Sequence, residues 1–229
     1  MSTAESTGAA RRLAERPDDA ASKELVLAAA GQLFYARGFT AVGMDELRTE
    51  SGIPLKRLYR LFPSKEAIVE EVLFAWQRMW TAGVTAQVES TQVPRERLLA
   101  VYDFLAGWFT SEGFRGCAFI NSFGEVGGAS GTITDIVRQH KKHFQTYLAQ
   151  LADEAGAPAS LAPQLAILAE GAITTAAIAA SAEPARQARA AAEILIDVAL
   201  QGSARGNCPT SPPVSACPPP HFPPDQIGP

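Results

Sequence analysis

The sequence predicts an all-α fold, and three observations support this prediction. Apolar residues recur at the three- and four-residue spacing of a helix face along most of the chain, and no segment shows the alternation of a half-buried strand. Glycine or proline separates the periodic segments, where such residues end one helix or begin the next. Apolar residues make up 47% and charged residues 19% of the 229 residues, a composition typical of a chain that folds around a core.

The first two predicted helices lie close together in the sequence. The first spans residues 22–37, where several apolar residues share one face, and Ser22 is its expected N-cap. Gly38 suits the left-handed backbone that commonly ends a helix. The second helix spans Met44 to Ser51 and ends at Gly52, so each of the two helices has a glycine stop.

The third predicted helix begins at Pro54, which the first turn of a helix tolerates, and it ends before Pro63. Ser64 then caps a fourth helix that extends to about Trp80. The lengths of the second and third helices, with the glycine between them, are those of a helix-turn-helix.

Helical periodicity continues through the rest of the chain. We expect helices from Pro94 to at least Phe109, once within 113–131, and at 132–154, 161–181 and 184–201. Nine of the last 27 residues are proline, so we expect a disordered tail at residues 203–229. The remaining predicted divisions are a disordered arm at 1–20, a helix-turn-helix domain at 21–66 and a helical domain at 67–202.

The third helix separates apolar from basic residues. Its apolar side chains share one side, whereas Lys56, Arg57 and Arg60 lie on the other. Residues 52–65 contain four basic and no acidic residues, although the whole chain has a net charge of −4. Such a face suits the major groove of DNA, where it offsets phosphate charge. An ordinary solvated helix face is the alternative.

An ordered set of spaced positions extends over residues 22–66. It comprises Ala29-Ala30, Leu33-Phe34, Arg37-Gly38-Phe39, Met44, Leu47, Ser51-Gly52-Ile53, Leu58-Tyr59 and Phe62-Pro63-Ser64-Lys65-Glu66. This pattern resembles the N-terminal domain of the TetR family of transcriptional regulators.

The resemblance implies a three-helix DNA-binding domain, joined by the fourth helix to a helical ligand-binding and dimerisation domain. The implied partners are double-stranded operator DNA, a second copy of the chain and a small hydrophobic effector. The implied function is a ligand-responsive repressor that acts as a homodimer on a pseudo-palindromic operator. An alternative is a helical small-molecule-binding protein whose DNA-binding head is a relic.

The resemblance also places residues at the DNA. By position these are Gly43, Pro54, Leu55, Lys56, Arg57, Tyr59, Arg60 and Lys65, with Tyr59 and Lys65 on phosphates. Arg57 is expected to contact guanine, a pairing worth about 1–3 kcal/mol of discrimination. The chain departs from the family at Val42-Gly43, where a hydroxyl residue is usual, and at residues 54–57, where small residues are usual. Both departures bear on which operator is read.

The segment at residues 115–121, followed by Glu125, looks like a short motif in one branch of TetR-like proteins. A small-molecule site needs an apolar cavity with a few polar groups. The expected ligand-binding residues are Trp76, Trp108, Phe119, Asn121, Glu125 and Phe144. For each aromatic residue the alternative is a place in the core, and for Glu125 it is a surface position at a helix end.

The last two helices carry stripes of small and apolar residues, which permit close helix approach in a symmetric four-helix bundle. The expected dimer-interface residues are Leu165, Leu168, Ala172, Ala176, Leu195 and Val198. The alternative is that both stripes pack inward.

We expect a cytoplasmic protein that is not an enzyme, with no cofactor, no metal site and no membrane span. The sequence contains no phosphate loop, metal-ligand cluster or nucleophile elbow. Cys117 is expected to be an inert apolar residue. Cys208, Cys217 and His221 lack the tight spacing of zinc ligands. The longest apolar stretch is interrupted by Glu170 and is too short to span a bilayer.

Overall fold

The computed structural model describes residues 17–205, and the side chains of residues 18–202. This part of the chain forms nine α-helices and contains no β-strand, which confirms the predicted fold class. In chain order the helices are α1 (Pro17–Arg37), α2 (Met44–Ser51), α3 (Leu55–Leu61), α4 (Lys65–Val88), α5 (Pro94–Phe109), α6 (Ala118–Val126), α7 (Gly131–Glu154), α8 (Leu161–Ala179) and α9 (Glu183–Arg205).

Helices α1 to α3, called the head below, pack around a shared apolar core. Phe34 of α1, Leu47 of α2 and Leu58 of α3 are each at most 2% exposed. Gly38, with φ of +89°, and Gly52, with φ of +68°, adopt the left-handed backbone and end α1 and α2 as predicted. The helix-turn-helix is thus fixed by apolar packing on its inner side.

The first helix begins earlier than the sequence predicts. Residues 17–20, predicted to belong to a disordered arm, form its first turn, and Asp18 and Asp19 lie there, where acidic groups complement the helix dipole. Ser22 is not an N-cap, because it is buried within α1 and its hydroxyl donates to the Asp18 carbonyl oxygen at 2.7 Å. Residues 1–16 of the predicted arm and 206–229 of the predicted tail lie outside the described residues.

Helix α4 leads from the head into the remaining helices, α5 to α9, which are called the body below. The Ser64 hydroxyl accepts a hydrogen bond from the Ala67 amide at 3.1 Å, which confirms the predicted N-cap. The helix continues to Val88, well past the predicted end near Trp80, because Val84 and Val88 extend its buried stripe. One continuous helix therefore connects the two parts.

Polar contacts fix the packing of α5 against α8 and α9. The hydroxyl of buried Tyr102 on α5 donates to the Leu165 carbonyl oxygen on α8 at 2.8 Å. Arg95, also on α5, pairs with Glu193 at 2.8 Å and with Asp197 at 2.7 Å on α9. These contacts determine which sides of α8 and α9 face inward.

By length and composition alone, helix α8 is long and apolar enough to cross a membrane, contrary to the expectation that this stretch is too short. In the structure it packs between α7 and α9, and its buried side includes Leu165, Ala169 and Ile173. Its place in the core of the body accounts for the apolar residues on its inner side, whereas Ile167 and Ile178 on its outer side are exposed.

Candidate nucleic-acid interface and effector cleft

Helix α3 has an inner and an outer side. Leu58 is fully buried and Phe62, just past the end of the helix, is almost so, and together they fix its rotation. Lys56, Tyr59 and Arg60 consequently lie exposed on the outer side, which we call the reading surface. Tyr59 is 49% exposed, so much of this large ring is available to a partner.

The other predicted DNA-binding residues lie at helix starts or beside the reading surface. Gly43 and Pro54 are exposed at the starts of α2 and α3, and Leu55 is half-buried. Lys65 is half-buried at the start of α4, where partial desolvation lowers its pKa and the Glu125 carboxylate opposes that shift. Contact of these residues with DNA stays a prediction.

Arg57 is tied to the start of α1. Its Nη2 atom lies 2.6 Å from Oδ2 of Asp18 and donates to the Asp18 carbonyl oxygen at 2.7 Å. Nη2 of Arg60 donates to Oδ1 of Asp19 at 2.7 Å, and the same oxygen lies 3.3 Å from Nη2 of Arg57. The expected guanine contact of Arg57 therefore competes with acidic partners inside the head. Sequence reasoning missed Asp18 and Asp19, since 38 to 41 residues separate Asp19 from its partners.

Glu125 joins the body to the head. From α6 its Oε2 atom accepts hydrogen bonds from the Thr40 amide at 3.1 Å and the Thr40 hydroxyl at 3.2 Å. The carboxylate also lies against Gly38, where an added Cβ would stand 2.7 Å from Oε1. Glu125 is thus exposed but holds the turn between α1 and α2.

A cleft of about 270 Å³ opens beside this contact. Its lining combines the end of α1, α4 and α6: Phe34, Tyr35, Ala36, Arg37, Gly38, Phe39, Trp76, Arg115, Ala118, Asn121 and Glu125. The Tyr35 hydroxyl donates to the Gly116 carbonyl oxygen and accepts from the Arg115 amide, both at 2.9 Å, and burial raises the pKa of Tyr35. The structure therefore brings together Trp76, Asn121 and Glu125 of the six predicted ligand-binding residues.

The other three predicted ligand-binding residues lie in aromatic packing away from that cleft. Phe119 stacks on His140 with ring centroids 3.6 Å apart, and Phe144 meets Trp80 edge-on at 5.1 Å. Burial, reinforced by Lys141 and His143, lowers the pKa of His140 to about 3. Trp108 packs against the Phe114 ring at 5.2 Å. These contacts agree with the alternative interpretation, in which these three aromatic residues pack in the core and do not bind a ligand.

The predicted dimer stripe on α8 faces inward. Leu165, Ala172 and Ala176 are buried within the subunit, so they have little surface to offer a second copy. Leu168 and Leu195 are half-buried, and Val198 is exposed. The outer sides of the two helices instead carry large apolar residues that are 65% to 82% exposed, namely Ile167, Ile178, Ile194 and Val198. We call these four residues the outer apolar face.

Cys117 lies at the buried start of α6, and the Lys141 ammonium donates to its sulfur at 3.2 Å. Lys141 also pairs with Glu170 at 2.7 Å, which accounts for the carboxylate in the middle of α8. Among residues 17–205, no group of three His, Cys, Asp or Glu side chains could hold a metal ion.

Family comparisons cover both parts of the chain. The family described as "Bacterial regulatory proteins, tetR family" matches residues 26–72, and "Tetracyclin repressor-like, C-terminal domain" matches residues 94–192. The chain is 31% identical over 107 residues to the HTH-type transcriptional repressor NemR of Escherichia coli K12, over 46% of this chain and 54% of NemR. It is 32% identical over 112 residues to the transcriptional activator FasR of Mycolicibacterium smegmatis, over 47% of this chain and 50% of FasR. These matches span about half the length of both relatives.

Solved structures extend the likeness over most of the described chain. Reduced E. coli NemR superimposes with a TM-score of 0.65 at 27% identity, covering 76% of this chain and 97% of that one. A TetR-family transcriptional regulator from Streptomyces coelicolor gives a TM-score of 0.70 at 24% identity, covering 81% and 97%. The second likeness concerns the fold alone.

Proposed function

Because this chain belongs to the TetR family of DNA-binding transcriptional regulators, we propose that it is a ligand-responsive repressor acting in the cytoplasm. In this proposal it binds a pseudo-palindromic operator as a homodimer. The observation that carries the proposal is the reading surface, where Lys56, Tyr59 and Arg60 stand exposed on a helix fixed by buried Leu58. We propose repression and not activation of transcription, because a dimer bound to the operator blocks polymerase by occupying that DNA.

In this proposal, DNA recognition depends on α3, whose buried apolar side holds it in place in the head. A short helix held by its apolar side can enter the major groove with its outer residues at base edges and phosphates. Lys56 supplies a cation that has no acidic partner within the described part of the chain, and Tyr59 supplies a hydroxyl that can donate to phosphate. The half-buried Lys65 at the start of α4 adds a charge at the neighbouring edge.

Dimerisation is proposed through the outer apolar face of α8 and α9. Four exposed branched side chains on two adjacent helices form the kind of patch that marks a protein interface. A two-fold axis would pack this face on its copy as a four-helix bundle. Compared with the sequence prediction, the proposed interface keeps Val198 and replaces the buried residues of α8 with Ile167 and Ile178.

The effector is proposed to bind in the cleft between head and body. The cleft volume of about 270 Å³ lies just below the roughly 300–1,000 Å³ of most ligand sites, so the proposed effector is a small molecule. Trp76 offers an apolar ring, and within residues 17–205 the Arg115 side chain makes no ion pair or hydrogen bond. A ligand that favours a displaced Glu125 would release the turn at Thr40 and shift the population of head orientations.

Selection from a random duplex library with the purified full chain tests the proposal. The expected result is an enriched pseudo-palindrome with half-site centres about one helical turn apart, or a multiple of it. Saturable quenching of tryptophan fluorescence by an apolar compound, with no DNA sequence enriched, would support the alternative of a binding protein with a relic head.

A further inference from the structure

Two acidic residues at the start of α1 hold the two arginines of α3 that face them. We propose that Asp18 and Asp19 form an electrostatic restraint, which competes with DNA phosphate for Arg57 and Arg60 and limits binding to DNA of arbitrary sequence. The inference rests on the proposed DNA-binding function. It adds two residues that precede the segment matched to the family, residues 26–72.

The geometry of the contact is shared between the two helices. Arg57 and Arg60 are three residues apart, so their side chains emerge on the same side of α3. The first turn of α1 lies across that side. Oδ1 of Asp19 contacts both guanidinium groups, at 3.3 Å and 2.7 Å, so one carboxylate bridges two cations. Asp18 adds its own carboxylate to Arg57 at 2.6 Å.

Part of this cluster is shielded from solvent. The Asp19 side chain is 19% exposed and that of Arg57 is 25% exposed, so water and salt screen this pair less than a fully exposed one. The cluster is nevertheless incomplete, because Nε of Arg57 is buried and has no hydrogen-bond partner in the described chain. An unsatisfied buried donor weakens the closed arrangement and favours exchange for a stronger acceptor.

The restraint acts on DNA of all sequences alike. Each arginine must exchange a carboxylate for a phosphate, and the released carboxylates then stand near the polyanion. That exchange is favoured where a matching sequence already holds Lys56 and Tyr59 in place. On random DNA those contacts are weaker, so the cost of releasing the arginines leaves binding to DNA of arbitrary sequence weak.

A purely structural role would give a different result. Acidic side chains in a first helical turn stabilise the helix through its dipole. That role alone predicts that their removal lowers thermal stability and leaves the affinity for DNA unchanged. DNA affinity therefore separates the two roles, with melting temperature as the accompanying measurement.

The test compares Asp19→Asn with Glu24→Gln in the full chain. Glu24 is an exposed acid on the same helix with no partner among the described residues, so its substitution removes the same charge without touching either arginine. Fluorescence anisotropy with a random-sequence duplex, at several NaCl concentrations, measures affinity and its salt slope. Asp19→Asn should bind about threefold to tenfold more tightly. The slope of its log affinity against log salt concentration should become steeper by about 0.9, which is the contribution of one added phosphate contact.

A second comparison ties the gain to the arginines. In an Arg57→Gln, Arg60→Gln background, Asp19→Asn should give no gain beyond that of Glu24→Gln. A gain that persists there, equal gains in both acidic variants, or an unchanged or lower affinity of Asp19→Asn would overturn the restraint while the parent still binds DNA. A parent chain that binds neither random nor selected duplex would overturn the proposed function as well.

Discussion

Oε2 of Glu125 lies 3.1 Å from the Thr40 amide nitrogen and so connects α6 of the body with the turn that follows α1 of the head. The Thr40 hydroxyl donates to the same oxygen at 3.2 Å. The cleft that contains Trp76 and Asn121 opens directly beside this contact. The lining of the cleft and the turn of the head are therefore linked through one carboxylate.

Removal of that carboxylate should loosen the turn. In Glu125→Ala the Thr40 amide loses its acceptor, so its hydrogen exchange should become severalfold faster, while core amides of α1 keep their protection. Glu112→Ala is the matched control, because Glu112 is an exposed acid in the body that has no partner in the described chain. Equal exchange at Thr40 in both variants would show that the contact does not hold the turn.

Gly38→Ala should destabilise the head. Its φ of +89° disfavours any side chain, and the new Cβ would stand 2.7 Å from Oε1 of Glu125. The expected loss in free energy of unfolding is about 1–2 kcal/mol, measured by urea denaturation. Gly128→Ala is the control, because a Cβ there meets nothing within 4 Å. A similar small change in both variants would mean that the turn adapts freely.

Ile194→Arg should dissociate the proposed dimer without unfolding the subunit. Ile194 is 66% exposed in the subunit, so the arginine remains solvated until a second copy covers it. Burial of an unpaired charge then costs several kcal/mol. Sedimentation velocity should show a monomer with an unchanged helical circular dichroism spectrum. Val93→Arg, at another exposed apolar position, should stay dimeric. An Ile194→Arg chain that remains dimeric would place the interface elsewhere.

Stability should fall in mild acid because of His140. Burial lowers its pKa to about 3 in the folded chain, whereas the unfolded imidazole titrates near about 6.5. Between these values the unfolded chain binds the additional proton, so the free energy of unfolding decreases as pH falls below about 6.5. From pH 7 to pH 5 the His140 contribution should be about 1–2 kcal/mol. His140→Gln should lose this dependence, and exposed His143→Gln should retain it.

Helices that begin or end at a clear capping or stop residue were predictable from the sequence. Met44–Ser51 has the predicted bounds because Gly52 stops it, and Ser64 and Pro94 mark the starts of α4 and α5. Such signals act within a few residues of the chain, so no tertiary knowledge is needed. The start of α1 was missed because its first turn lies before the apolar stripe.

Tertiary contacts account for the remaining differences. An alanine-rich helix has apolar residues all round, so the sequence of α8 does not say whether Leu165 or Ile167 faces the core. In the structure, packing within the body buries Leu165 and leaves Ile167 exposed. Asp19 likewise pairs with Arg57, and Glu125 with Thr40, although these residues are far apart in sequence. The spacing of apolar residues within one segment carries no information about such pairs.

The most direct test of the central claim compares Lys56→Ala with Lys142→Ala on a selected operator. Lys56 lies on the reading surface, and Lys142 is an exposed lysine of α7 in the body, so both variants lose one positive charge. Anisotropy titrations over a range of salt should show weaker binding for Lys56→Ala and a salt slope smaller by about 0.9, with Lys142→Ala unchanged. Parental affinity and slope in Lys56→Ala would contradict the account, because α3 would then not be the helix that meets DNA.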